Sequence, residues 1–127
     1  MGIISVSLSD EVLTELDAIQ EAYRLKGRSE AVRASIKAAA GEVQGLAALE
    51  GEIEGVLIVI RHDHSDPWMS IIEEKHEAMI RTQLHSHLEN RRCLEVMVIA
   101  APAAEFRAMM QEIQSADKAD YVRFVRS

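Results

Sequence analysis

The chain has 127 residues and a formal net charge of −7, with 48% hydrophobic and 28% charged residues. This composition is typical of a folded protein, and no apolar run approaches the roughly 20 residues that a bilayer-spanning helix needs. The acidic balance argues against an indiscriminate nucleic-acid binder, and the single cysteine cannot form an internal disulfide. We therefore expect a cytoplasmic protein with no secretory signal and no membrane partner.

The amino-terminal segment predicts a short strand followed by two helices. Residues 3–8 alternate, which places one set of side chains on each face: Ile4, Val6 and Leu8 on the first, and Ile3, Ser5 and Ser7 on the second. Ser9 is the predicted N-cap of a first helix that ends at Gly27, and Ser29 is the predicted N-cap of the second helix.

A strand and two helices are too small to bury a core alone. Two copies that pair their strands antiparallel would solve this problem, so we expect an intertwined ribbon-helix-helix dimer. A two-stranded ribbon fits the major groove of double-stranded DNA. Local basic residues would support such a contact despite the acidic total; they are Arg24, Lys26, Arg28, Arg33 and Lys37.

The glycine-rich segment 41–52 predicts a linker, beyond which the pattern changes. We place the domains at 1–44 and 53–127, with a linker at 45–52. The second domain shows strands at 53–61, 83–88, 93–100 and 121–126, and helices from Asp66-Pro67 to about Arg81 and from Pro102 to about Ser115. The fold class is therefore α+β, with a β-α-β-β-α-β, ferredoxin-like second domain.

Two histidines and the cysteine are spaced to meet across a hairpin. His85 and His87 lie on one face of a strand. Cys93 begins the next strand, and it lies opposite His87 only if the connection has five residues; a four-residue connection would place Leu88 there instead. Imidazole and thiolate donors suit nickel, copper, zinc or cobalt rather than magnesium or calcium.

Over nearly its whole length, the chain resembles NikR, a family of nickel-responsive regulators. The resemblance rests on SVSLSDEVLTELD and GRSEAVR in the head, and on GVL, LHSHLENRRCLEV and the AP-A-x-E-F-R segment in the second domain. It implies a ribbon-helix-helix head, an ACT-like sensing domain and a homotetramer made as a dimer of dimers. It also implies a transcription regulator of operator DNA, with nickel as cofactor and no enzymatic activity.

By this resemblance His85, His87 and Cys93 match three of the family's four nickel ligands. The fourth is a histidine of a neighbouring subunit, eleven residues before the first of the pair, where this chain has Glu74. Either Glu74 supplies a carboxylate, or His76 replaces it after a local shift, or water completes the site. A carboxylate would favour tetrahedral zinc or cobalt over square-planar nickel.

Two further groups of residues are candidates for binding metal or DNA. His62 and His64, with Asp63 and Asp66, form a possible secondary metal site or a simple polar loop. By resemblance Ile3, Ser5 and Ser7 face the DNA bases, although the family usually has an arginine at the first of these positions. The phosphate contacts would come from Arg28, Ser29 and Arg33.

The leading functional interpretation is a repressor whose operator affinity is controlled by a metal bound between subunits. The alternative is a metal- or ligand-binding ACT-type module whose head only dimerises and binds DNA weakly or not at all. The uncharged strand face favours the alternative, and the basic residues between 24 and 37 oppose it.

Overall fold

A computed structural model describes residues 2–127 and divides the chain into two compact units, the first ending at Leu46 and the second running from Ala47 to Ser127. The first unit contains helix α1 (Asp10–Ala22) and all but the last residue of α2 (Arg28–Ala47). Residues 2–9 lie in no helix or strand of the single chain, and all of them are exposed. The predicted ribbon strand needs a second copy as its partner, so it stays a prediction.

The beginning of α1 follows the sequence pattern, whereas its end does not. The Ser9 side chain accepts a hydrogen bond from the Val12 amide at 3.2 Å, as an N-cap does. The prediction that Gly27 ends the helix is wrong. The helix ends at Ala22 because Arg24 takes the left-handed conformation (φ 55°) and the Leu25 amide then donates to the Gln20 carbonyl at 2.9 Å.

The beginning of α2 also differs from the prediction. Ser29 is not its N-cap, since the helix begins at Arg28 and the Ala31 amide bonds to the Gly27 carbonyl at 3.2 Å. The Glu30 side chain instead accepts a hydrogen bond from the Lys26 amide at 3.0 Å. At its other end α2 extends to Ala47, so residues 41–47 of the predicted linker are helical.

The second unit has the predicted β-α-β-β-α-β order. Its elements are β1 (Glu52–Arg61), α3 (Trp68–Lys75), a 3₁₀ turn (Glu77–Met79), β2 (Ile80–His87), β3 (Cys93–Pro102), α4 (Ala103–Ala116) and β4 (Ala119–Arg126). The strands form one antiparallel sheet in the order β2-β3-β1-β4. This α+β architecture is consistent with an ACT-like domain. No helix among residues 2–127 is long and apolar enough to cross a membrane.

The helix predicted to continue to about Arg81 ends at Lys75 instead. Residues from Ile80 onward join the sheet, where Ile80 pairs with Ile99. Their backbone groups are then satisfied by β3 rather than by a helix, which is why β2 begins earlier than predicted.

One face of the sheet holds the core. Alternate residues of β1 and β3 are buried there, together with α3 and α4 side chains; the set includes Leu57, Val59, Met97, Ile99, Met69, Phe106, Met109 and Ile113. The opposite face stays partly open, with Leu84, Val98, Tyr121 and Val125 between 40% and 56% exposed. Exposed apolar patches of this kind are typical of surfaces that contact another molecule.

Gly55 on β1 is required by the close approach of β4. A Cβ atom at this position would lie 2.6 Å from the ring of Phe124 and would also overlap the Val125 carbonyl oxygen. We predict that Gly55→Ala lowers stability by about 1–3 kcal/mol because the two strands must separate. Urea denaturation followed by the fluorescence of Trp68, which is buried in the same unit, measures the loss.

Gly45→Ala is the matched control, since Gly45 lies in α2 with open space around it. Alanine is the better helix former, so this change should not lower the midpoint. Equal midpoints for Gly55→Ala and the wild-type protein would contradict the close packing of β1 on β4.

Candidate metal centre

The β2–β3 hairpin brings His87 and Cys93 face to face. The connection between the two strands has five residues, 88–92, and is closed by a 2.8 Å hydrogen bond from the Leu88 amide to the Arg92 carbonyl. In the resulting register His87 pairs with Cys93. The connection length on which the sequence argument depended is therefore the one observed.

His87 and Cys93 are close enough to share an ion, and His85 lies nearby. The Cys93 Sγ atom lies 3.8 Å from His87 Nδ1, and the ring centroids of His85 and His87 are 5.2 Å apart. The cysteine is fully buried, whereas both histidines are exposed at the edge strand. The thiol is therefore held by packing, and the imidazoles remain accessible from solvent.

His64 joins this group, which sequence reasoning did not anticipate. The ligand atoms of His64, His87 and Cys93 all lie within 4.8 Å of one another. The reason is the sheet register: Arg61, the last residue of β1, pairs with Cys93, so the chain leaves β1 beside the thiol. The pairing of Arg61 with Cys93, which spacing along the chain does not give, was the missing information.

His62 faces a different direction from His64. Its Nδ1 atom lies 2.9 Å from Asp120 Oδ1 on β4. The two histidines that the sequence grouped into one possible secondary site therefore have separate partners, and His64 belongs with the hairpin cluster instead.

His85 lies beside the cluster rather than inside it. Its Nδ1 atom is 3.5 Å from Glu95 Oε1. Glu95 is buried on β3, and the same oxygen accepts from Arg61 Nε at 3.3 Å and Nη2 at 3.1 Å. Sequence reasoning missed this ion pair, because an arginine at the end of one strand and a glutamate within another give no signal until the strands are paired.

A second carboxyl group shares this environment. Glu73 on α3 is half-buried and accepts a hydrogen bond from the Gln83 side chain. Burial, reinforced by the hydrogen bond and the charge of Glu95, raises the pKa of Glu73 to about 8. The nearby carboxyl group of Glu95 and the partial burial of Glu73 therefore both favour the protonated form of Glu73.

The two residues proposed for the fourth ligand position have different surroundings. Glu74 is exposed and lines a groove between α3 and β2. His76 is mostly buried, and its Nε2 atom lies 3.0 Å from Glu112 Oε2 on α4. Hydrogen bonds from Lys75 and His76 hold the pKa of Glu112 below its ordinary value. His76 is therefore already engaged within its own subunit.

The residues predicted to contact DNA are all exposed: Ile3, Ser5, Ser7, Arg28, Ser29 and Arg33. Arg28 has a partner, since its guanidinium group forms two hydrogen bonds of 2.9 and 3.1 Å with the Asp17 carboxylate on α1. The hydrogen bond from Arg28 lowers the pKa of Asp17. Part of the positive charge that Arg28 offers to a phosphate is therefore offset.

The donor set at the hairpin fits nickel. Donors bound to one ion at about 2.0–2.3 Å lie roughly 3–4.5 Å from one another, close to the separations in the His64, His87 and Cys93 group. Imidazole nitrogen and thiolate sulfur are ligands that nickel accepts, and no carboxylate cage for a hard cation is present among them. The residues are therefore suitable for a borderline-soft transition metal.

Known proteins resemble this chain over most of its length. Residues 55–126 match the family model described as the NikR C-terminal nickel-binding domain. A relative from Methanococcus maripaludis, named as a nickel-responsive regulator, is 32% identical over 118 residues, or 91% of this chain and 84% of the relative. Relatives with the same name come from Nitratidesulfovibrio vulgaris (32% over 113 residues, 87% and 81%) and Haloarcula marismortui (26% over 122 residues, 91% and 85%).

The raised pKa of Glu73 has a consequence for stability. A carboxyl group whose pKa rises from the ordinary 4.5 to about 8 on folding stabilises the protein fully below about pH 4.5, and this contribution is lost as the pH rises through about 8. Glu73→Gln removes the titration. We predict that the variant gains stability over wild type between about pH 5 and 8.5, by about 1 kcal/mol once solvent screening of this half-exposed group is included.

Thermal denaturation of both proteins across this pH range, with a chelator present, measures the difference. Glu77→Gln is the control, because Glu77 is an exposed neighbour. Parallel pH profiles for Glu73→Gln and wild type would show that Glu73 has an ordinary pKa.

Proposed function

This chain belongs to the NikR family of nickel-responsive regulators, and from that premise we propose that it is a repressor whose affinity for operator DNA is controlled by nickel bound at the β2–β3 hairpin. The observation that carries the proposal is the pairing of His87 with Cys93, which sets a thiol 3.8 Å from an imidazole nitrogen. The named relatives are regulators, and no catalytic role is proposed.

Each hairpin residue has a defined task in this proposal. Cys93 supplies a thiolate, and His85 and His87 supply imidazole nitrogens. Glu95 lies near His85 Nδ1, so it would orient the ring and leave Nε2 to face the metal. Arg61 balances the negative charge of Glu95 in the buried interior.

The first unit would act as a dimerising, DNA-binding head. Its apolar side chains are largely unburied in the single chain: Ile4 is 79% exposed, Val6 66% and Ile36 58%. Pairing with a second copy would cover these side chains and produce a ribbon-helix-helix. Ile3, Ser5 and Ser7 would then face the major groove, and Arg28, Ser29 and Arg33 would contact phosphates.

The open face of the sheet supports assembly beyond a dimer. Its exposed side chains, which include Leu84, Val98 and Tyr121, form an apolar surface on the second unit. A second copy packed on this surface would pair two sensing domains and so link two head dimers. The result would be a homotetramer, a dimer of dimers. Nickel would control DNA affinity by binding one arrangement of these heads more tightly than another.

Two observations favour the alternative, in which the head only dimerises. The strand face Ile3-Ser5-Ser7 carries no charge, and Arg28 is bound to Asp17. A chain of this kind would bind metal with little or no affinity for DNA. Measurements on DNA separate the two functions, whereas measurements on the metal do not.

We predict that nickel increases binding to the DNA upstream of this protein's own gene by at least about tenfold, because only one head arrangement fits the operator. A gel-shift assay with nickel, and with a chelator in its place, measures the effect. Cys93→Ala should retain the weak binding seen with the chelator and lose the response to nickel. Unchanged affinity in the presence of nickel would favour the dimerisation-only alternative.

The same assay tests the head residues. Arg33→Ala removes an exposed cation and should weaken binding to specific and nonspecific DNA alike, with a smaller dependence on salt. Ser5→Ala should affect the specific sequence alone. Neither variant should change the amount of nickel bound, since both residues lie in the first unit.

A further inference from the structure

The loop after β1 places a third histidine at the candidate metal centre. His64 has its ring centroid 5.4 Å from that of His87, with the ring planes nearly perpendicular, and its ligand atom lies within 4.8 Å of those of His87 and Cys93. Three elements of one chain thus meet here: the β1 end loop, the end of β2 and the start of β3.

We infer that His64 is the fourth ligand of the metal, supplied by the same chain as His85, His87 and Cys93, so that each subunit holds a complete site. The inference rests on the proposed nickel site and extends it. It also changes how many subunits bind each metal ion, because the metal would then be held within one subunit rather than shared between two.

The loop that carries His64 is held in place from both sides. Asp63 lies 3.7 Å from Arg91 in the hairpin turn. Asp66 accepts from Lys118 at 2.9 Å through its carboxylate and from Arg61 at 3.4 Å through its backbone carbonyl. These contacts fix the loop on either side of His64 without engaging the imidazole.

The other candidates for the fourth position are less suitable. Glu74 is exposed on α3 and brings a hard carboxylate oxygen. His76 is committed to Glu112 on α4. With His64 the donor set becomes three imidazoles and one thiolate, which favours nickel over the set that contains a carboxylate.

His85 must turn toward the other three ligands for this site to close. Its side chain is 38% exposed and its ring centroid is 5.2 Å from that of His87, and a turn that keeps the 3.5 Å contact between His85 Nδ1 and Glu95 Oε1 would bring Nε2 toward the other ligands. His64 and His87 are also exposed, whereas Cys93 is buried. The exposed imidazoles would therefore move to bind the metal, while the buried Cys93 sulfur would stay in place.

Nickel titration of the full-length protein, with a competing chelator and the visible spectrum as readouts, tests the inference. His64→Ala should weaken nickel binding by more than about 100-fold, beyond the loss typical of an outer-shell residue. It should retain the nickel–thiolate absorption and shift the ligand-field band. His62→Ala, which removes a histidine from the same loop, and Glu74→Ala should both bind like wild type.

Mixed oligomers then show which chain supplies His64. Subunits that carry His64→Ala, mixed with subunits that carry Cys93→Ala, should regain no tight sites, because neither chain has a full set. Restored sites would mean that His64 acts on a neighbour, and they would overturn the inference.

The remaining outcomes are equally informative. Wild-type affinity in His64→Ala, or a loss in Glu74→Ala as large as that in His64→Ala, overturns the inference while leaving the nickel site intact. If wild-type protein binds no nickel at all, the proposed function fails, and the inference fails with it.

Discussion

Cys93 has a histidine on one side and an arginine on the other because three antiparallel strands share one register. It is opposite His87 on β2 and Arg61 on β1. A slip of one residue in either pairing would turn the partner side chain to the other face of the sheet. The same register places the end of β1, and His64 beyond it, beside the thiol. The candidate centre therefore depends on strand pairing more than on any single hydrogen bond.

The charges behind the cluster are balanced in the apolar interior. Arg61 and Glu95 are 2% and 1% exposed, and each would be costly to bury without the other. Glu73 adds a second carboxyl group that keeps its proton at neutral pH, which avoids two adjacent negative charges. Glu95 also lies near His85, so this arrangement links the core of the domain to a predicted metal ligand.

Periodicity and spacing predicted most of the second unit. The almost continuous apolar run at 53–61 and the proline before α4 indicated much of the element order, and the five residues between His87 and Cys93 gave the hairpin geometry. The helix ends were predicted less well. Helix α1 ends because Arg24 adopts a left-handed backbone conformation, which an arginine in the sequence does not predict. Ile80 and the residues after it joined the sheet because β3 offered backbone partners there.

The position of His64 beside His87 and Cys93 was not predicted from the sequence. Its nearest predicted partners were its neighbours in the chain, His62 and Asp66. Its partners in space are His87 and Cys93, more than twenty residues away. They become neighbours because Arg61, at the end of β1, pairs with Cys93 at the start of β3, and spacing along the chain does not give that register. The family resemblance directed attention to position 74 instead, where this chain differs.

We expect the paired strands to deliver one sulfur and several imidazoles to a single nickel ion. X-ray absorption at the nickel edge of the loaded wild-type protein tests it most directly, because it identifies the atoms bound to the metal. The account predicts one sulfur neighbour together with the multiple-scattering signal of imidazole rings. A nickel environment of oxygen and nitrogen atoms without sulfur would contradict it.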